Sequence, residues 1–445
     1  MLALVWAIGE TSWPGLLLIA AVSSLGAIAL ILEYAWAGVV MLTVAAAIPR
    51  LAVSVSGGNV RPEHTAAALM LLALPFWIRR FQPEIRWITA DYLLIAYVVL
   101  NIFSSLFMSV EPAQTIKWCG QQVLVILSYP LLRIFVTTPA AFRRGVRLLL
   151  AVGVLASLYA VIAFYSGILF HTKFGIEPEQ YDSTIGPAYG TQYEANLLGA
   201  YCGATSVMML AMYLAKRDRK LLAGFSLAFI GMAISLSRAA LTGTVLVLLL
   251  VLIHGMKLKK IKRKMLAEMA VAVLCIAALT APVLIAVYSE RFSTVEVADP
   301  TADASTVTRL IGFAAAWDGV INHPIAGNGT ASFQLAFNWS DVEPGTEAIG
   351  SISNTELRVL HDTGILGLGV FISFALALAW GAWKLLKRTH SLELQALCLG
   401  AVVYSFSFQF TEGTLLAFPW VQLGLIGCAL AMAASEASKA TVHSQ

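Results

Sequence analysis

Arg238 and Arg309 are the residues of this 445-residue chain whose side chains and settings best suit an anion. Arg238 stands in "SLSRAAL", with Ser235 and Ser237, at the junction of two apolar runs. A guanidinium there either reaches up to the membrane interface or clamps a phosphate or carboxylate, because its planar fork of donors matches those oxygens. Arg309 lies in "STVTRLIGFAAAWDGVINHPIAGNG". From it onward, Leu310, Phe313, Ala314, Trp317, Val320 and Ile321 recur at helical spacing, which predicts an amphipathic helix with Thr306 or Thr308 as its cap. An arginine near such a helix start adds charge where free backbone N–H groups already favour an anion. The plainer reading of Arg309 is a salt bridge to a nearby aspartate. "HPIAGNG" then ends the helix, with Gly327 and Gly329 shaping a tight turn.

Three groups could move a proton. Glu194 lies in "GTQYEANLLGAY" beside Asn196, where the chain re-enters an apolar run. It either complements the helix dipole or serves as general base toward a hydroxyl. His323 precedes Pro324 and reads as a turn histidine or a base. His361, in "RVLHDTG", is followed by Asp362. Adjacent residues on a helix point about 100° apart, so the two are not expected to pair directly. Glu194, His361 and His323 are therefore the candidate catalytic residues.

The elements that must position these residues are membrane helices. The chain is 59% hydrophobic and 12% charged, against about 25% charged in a soluble domain. Its apolar runs reach the length that crosses a bilayer. We expect an all-α integral membrane protein of about 12–13 transmembrane helices, with one long periplasmic loop containing a short amphipathic helix. The divisions are 1–288 (helical scaffold), 289–356 (catalytic and binding loop), 357–434 (C-terminal helices) and 435–445 (cytoplasmic tail). Lys and Arg gather in five clusters, around Arg79–Arg86, Arg133–Arg147, Lys216–Lys220, Lys257–Lys264 and Lys384–Arg388. Consecutive clusters are separated by two spans, so all five share one side, which positive charge marks as cytoplasmic. Residues 289–356 then face outward, where acidic residues far outnumber Arg291 and Arg309. The first ten residues carry no basic stretch of the kind that opens a cleavable signal.

The patterns also exclude function classes. The five cysteines sit in or beside apolar runs without metal-ligand spacing and read as packing residues. No phosphate-binding GxxxxGK[ST] loop is present, and no pair of Gly/Pro-broken inverted repeats suggests a secondary transporter. The basic run 257–264 suits lipid headgroups rather than nucleic acid. No cofactor is expected, and without an Asp-x-Asp metal site the chemistry is expected to be independent of metal.

Four blocks resemble the O-antigen ligase and O-antigen polymerase superfamily of bacterial membrane glycosyltransferases. They are "EANLLGAY" (194–201), "SLSRAALTG" (235–243), "TRLIGFAAAWDGVINHPIAGNGTASF" (308–333) and "SNTELRVLHDTGILGLGVF" (353–371). Their order and the many-span layout also match. The resemblance implies an undecaprenyl-diphosphate-linked glycan as donor and an acceptor glycan or lipid A-core as partner. Other glycan-assembly proteins are a further class of partner. It implies an enzyme of the inner membrane, active at the periplasmic face, in O-antigen, lipopolysaccharide or exopolysaccharide biosynthesis. It assigns the diphosphate to Arg238 and Arg309 and the shaping of the loop to Gly327, Gly329 and Asn354. The family's usual catalytic histidine falls at Ser353, which cannot be an ordinary base, and this departure favours a polymerase over a ligase. The alternative to this enzyme is a polysaccharide-lipid flippase or another membrane transporter.

Overall fold

The computed structural model describes residues 13–55, 58–172, 174–176, 186–257, 263–294, 304–336 and 352–443. In chain order the elements are α1 (Trp13–Glu33), α2 (Ala35–Ala47), β1 (Val53–Val55), β2 (Gly58–Val60), α3 (Pro62–Phe81), α4 (Thr89–Phe107), α5 (Pro112–Ile126), α6 (Ser128–Phe135) and α7 (Pro139–Phe170). They continue as α8 (Ala195–Lys216), α9 (Arg219–Ile234), α10 (Arg238–Lys257), α11 (Arg263–Thr294), α12 (Ala304–Asn322), α13 (Phe333–Ala336), α14 (Thr355–Thr389), α15 (Leu392–Ser407) and α16 (Ala417–His443). β1 and β2 form one antiparallel hairpin, with Val53 opposite Val60. Among the described residues, the remaining elements are helices, and the protein is an all-α membrane protein.

Among the described residues, five helices are long and apolar enough to cross a membrane: Thr89–Phe107, Pro139–Phe170, Ala195–Lys216, Thr355–Thr389 and Ala417–Ser435. Shorter apolar stretches at Val22–Glu33, Ala35–Ala47, Arg238–Ile253, Ala267–Ala281 and Leu392–Ser407 stand beside them. Several helices begin on side-chain caps. Thr138 accepts from the Ala141 amide ahead of Pro139, Asp218 from Lys220, and Ser391 from Leu394. α8 is the hub, 94% buried along its apolar window and packed by α9, α15, α10 and α7. Small residues allow that closeness: a Cβ at Gly203 would lie 2.2 Å from the Thr244 hydroxyl of α10.

The basic clusters meet at one end. Arg133 is buried and bonds Asp91 at 2.6 Å, the Arg86 carbonyl at 2.6 Å and the Gly427 carbonyl at 2.8 Å. Lys216 pairs with Glu393, just beyond the fifth cluster, and Arg219 with Glu268, just beyond the fourth. The opposite end gathers the starts of α3, α8, α10 and α14 with the end of α4, and all the candidate residues lie there.

One expectation needs correction. α12 begins at Ala304, ahead of Thr306 and Thr308, so neither threonine is the cap and Arg309 sits in the second turn. α16 runs unbroken to His443, so residues 435–443 continue a helix. The loop itself is described only in part, because 295–303 and 337–351 lie outside the described residues, as do Lys259, Lys260 and Lys262 of the fourth cluster.

Candidate active site

The site is organised by a break in α14. Gly364 has φ +67° and ψ −170°, a conformation essentially reserved for glycine, and it divides the helix into 355–363 and 365–389. A break orphans backbone groups on both sides. The turn after α12 satisfies them. The Asn328 amide donates to the His361 carbonyl at 2.9 Å and the Gly329 amide to that of Asp362 at 3.0 Å. In return the Ile365 amide donates to the Pro324 carbonyl at 2.9 Å and the Leu366 amide to that of Ile325 at 3.3 Å. Gly327 and Gly329 both have positive φ, and a Cβ on Gly327 would come within 2.4 Å of the Asp362 carbonyl carbon. At Gly327 backbone meets backbone with no room for a side chain, whereas at Gly329 the positive φ is the constraint. α4 closes the other side, where Ser104 donates to the Asp362 carbonyl and Ser105 to Thr330, at 2.7 and 2.9 Å.

Beneath the interlock lies a cluster of buried charge. Arg358 bonds Asp362 through Nε at 3.3 Å and pairs through Nη1 with Glu412 Oε2. Asp362 Oδ2 also accepts from the Ala331 amide at 3.0 Å, and its Oδ1 lies 3.1 Å from His361 Nδ1. The expectation that His361 and Asp362 would not pair is therefore overturned. The 100° offset applies where the side chains leave the helix. The ring nitrogen and the carboxylate lie further out, and rotation about their side-chain bonds closes the gap. His361 is 2% exposed. Its ring stands edge-on to Phe333 and presses against α12, where a Cβ on Gly319 would fall 2.7 Å from Nε2. The histidine thus clamps α12 onto the interlock.

The segment between α15 and α16, residues 408–416, joins this cluster to the rest of the site. Its Phe408 carbonyl accepts from the Thr355 amide at 3.0 Å. Gln409 takes the Asn354 amide group on its backbone carbonyl and side chain, at 3.1 and 3.3 Å, while Asn354 Oδ1 caps α14 by accepting from the Leu357 amide at 2.8 Å. Thr411 donates its hydroxyl to Glu194 Oε1 at 3.2 Å. Glu412 reaches Arg358, and the Leu415 carbonyl accepts from Arg61 at 2.6 Å. Glu194 occupies the N-cap position of α8, but its side chain makes no capping bond there. At that position its charge still complements the helix dipole.

Arg238 is exposed at the first residue of α10. The serines before it are buried against α8: a Cβ on Gly199 would meet Ser235 Oγ at 2.6 Å, and the Ala188 amide donates to the Ile234 carbonyl at 3.1 Å. Gly199 lies about 7.5 Å along α8 from Glu194 at 1.5 Å per residue, so the Arg238 junction and Glu194 share one end of one helix. Arg309 is half-buried on α12. His323 is exposed at the end of α12, its amide bonded to the Gly319 carbonyl at 3.2 Å. Ser353 is half-buried beside the cap. The structure thus brings Glu194 to Thr411, and His361 and Asn354 to the interlock, and leaves His323 on the outside. Arg358, Thr411 and Glu412 escaped the sequence reading. A charged residue inside the apolar "ELRVLHDTG" is the one signal that marked any of them. Among the described residues, no three His, Cys, Asp or Glu side chains stand together as a metal site.

No curated protein matches the chain. A family model does: residues 223–372 match that of O-antigen ligase. The matched stretch holds Arg238, Arg309, the turn of Gly327 and Gly329, and the break at Gly364, while Glu194 and the 408–416 segment fall outside it. Over residues 223–372 the chain is similar to the O-antigen ligase family, which supports its resemblance to the O-antigen ligase and polymerase superfamily.

Proposed function

We propose that the protein transfers or polymerises a glycan carried on undecaprenyl diphosphate, joining it to an acceptor sugar at the periplasmic face of the inner membrane. The observation that carries this reading is the coincidence of the O-antigen ligase match with the stretch that contains both arginines and the interlock. In the reaction an acceptor hydroxyl attacks the anomeric carbon. A C–O bond forms, the bond from that carbon to the diphosphate breaks, and the hydroxyl proton passes to a base. Arg238 and Arg309 meet the charge that grows on the departing diphosphate, typically worth a few kcal/mol per well-placed donor. Glu194 is the base we favour. It is half-buried at a helix start, a hydroxyl orients it, and it lies on the same end of α8 as the Arg238 junction. His361 is enclosed between α12 and Asp362, which suits holding the loop rather than touching substrate. His323 stands away from the cluster.

The direct test is reconstituted transfer from a purified lipid-diphosphate glycan, with a chelator present and nucleotide absent. Elongated or transferred product supports the reading. A requirement for Mg²⁺ or for nucleotide would overturn the metal-free scheme. Movement of the lipid-linked glycan across vesicles without any new glycosidic bond would favour the transporter.

A further inference from the structure

α12 shows three different faces. At 3.6 residues per turn, Gly312, Ala316 and Val320 fall on one side, where they are buried. That side rests on the interlock, since the His361 ring presses against Gly319. About 130° round the helix stands a second apolar stripe, in which Leu310, Ala314, Trp317 and Ile321 lie within about 60° of one another. All four are exposed, Trp317 by 52% and Ile321 by 62%. Asp318 and Asn322 mark a third side, exposed and polar, with Ile311 between them. The outer stripe does not end with the helix. Ile325, in the turn, is exposed, and its carbonyl accepts from the Leu366 amide. Ile365 and Leu366 are exposed in their turn, and they open the long apolar part of α14, one of the five helices able to cross a membrane. One apolar surface thus runs from the start of that span, across the turn, onto the outside of α12.

We propose that α12 lies in the membrane interface, with Leu310, Ala314, Trp317 and Ile321 immersed where headgroups meet acyl chains. The occupant of the stripe is the bilayer itself. Continuity with the span argues this, because lipid that covers Ile365 and Leu366 also reaches Ile325 and the stripe beyond it. The residue types fit as well: tryptophan concentrates at that depth, and a helix with one apolar and one polar side lies in the plane of the interface. The polar side offers no attraction to anionic headgroups, since its charged residue is Asp318. Seating therefore rests on apolar burial and does not depend on the charge of the lipid. α12 is gripped from two sides, inward by His361 and the interlock and outward by lipid. The turn that meets the helix break is held at the bilayer surface, whichever side chains carry out the transfer.

The experiment reads the depth of each face. Ala314→Cys, Ile321→Cys, Asp318→Cys and Asn322→Cys, one at a time in a cysteine-free background, carry a nitroxide label in phosphatidylcholine nanodiscs. All four positions are exposed, so the label displaces no packed side chain. Paramagnetic resonance measures collisions of the label with oxygen, which concentrates in hydrocarbon, and with a water-soluble nickel chelate. Leu376→Cys, exposed in the middle of the apolar part of α14, is the hydrocarbon standard. We expect the oxygen-to-chelate ratio at 314 and 321 to move toward that standard and to be several-fold lower at 318 and 322. Adding phosphatidylglycerol should leave the ratios unchanged. Chelate reaching all four positions equally would leave the helix in water. Exclusion of both reagents at 314 and 321 would give the stripe to a protein partner or a second copy of the chain. A high ratio that appears only once a polyprenyl-diphosphate glycan is added would give it to the chain of that lipid. A high ratio that needs phosphatidylglycerol would replace burial by charge. Each of these results overturns the proposal.

Discussion

Replacing Gly364 by alanine attacks the interlock at its narrowest point. A Cβ there would sit 2.2 Å from the Ile325 carbonyl oxygen and 2.6 Å from the Ala326 nitrogen. Both are backbone atoms and cannot swing aside. The conformation itself costs a non-glycine residue about 1–3 kcal/mol. To relieve the contact, the turn must leave the break, which forfeits the four backbone bonds that join Pro324, Ile325, Asn328 and Gly329 to α14, at about 1 kcal/mol each. The conformational cost alone, about 1–3 kcal/mol, shifts the docked-to-free ratio of the turn by about one to two powers of ten, and the backbone clash adds to it. Since α8 and its neighbours do not depend on these bonds, the expected result is a released turn in a folded membrane domain. Hydrogen exchange in lipid nanodiscs reads it: the amides of Asn328, Gly329, Ile365 and Leu366 lose protection while those of α8 keep theirs, and glycan transfer falls by at least about 100-fold. Gly369→Ala, in the same helix with nothing within 4 Å of the added carbon, is the neutral control. Wild-type transfer and protection in Gly364→Ala would refute the account of the break.

The arginine clamp predicts that Arg238→Lys and Arg309→Lys will be nearly as damaging as the alanine variants in a membrane transfer assay, because lysine keeps the charge and loses the fork. Wild-type rates in both lysine variants would remove the clamp. Asn354→Ala removes a cap and two bonds to Gln409, and should lower thermal stability by about 1 kcal/mol and transfer along with it, whereas Ser353→Ala should be mild on both. An inactive, fully stable Ser353→Ala would move the catalytic centre. In a cysteine-free background, a thiol-specific, membrane-impermeant reagent applied to intact cells should label a cysteine placed at Val110 and spare one at Arg388. The reverse pattern would invert the orientation.

Charge and apolar length made much of the scaffold legible. The basic clusters do meet at one end, because short loops between long helices leave them nowhere else to go. The amphipathic helix was legible from its period, although its start was not, because Ala304 and Ser305 carry no stop signal. The interlock was half visible: "HPIAGNG" announces a turn, but nothing in "HDTGILG" says that Gly364 breaks a helix to receive it. Glycine inside an apolar run more often marks close packing. The partners that define the site were hidden by distance along the chain. Thr411 finds Glu194 across 217 positions, and Ser104 finds Asp362 across 258. No local periodicity encodes such a pair. His361 and Asp362 failed in the opposite way, since they were too close for helix geometry alone to rule on.

The broken helix also bears on how the protein is made. Residues 365–389 span roughly 37 Å at helical rise, enough to cross a bilayer unaided, so the break stands at one end of a span, opposite the end that carries Lys387 and Arg388. When this segment first enters the membrane, its amides at Ile365 and Leu366 and the carbonyls of His361 and Asp362 lack partners, and lipid offers none. The turn that supplies them was synthesised some forty residues earlier. Insertion of the helix therefore creates the demand, and the waiting turn answers it without a long search. Insertion of the helix and docking of the turn become a single event in biogenesis, ordered by the direction in which the chain is translated.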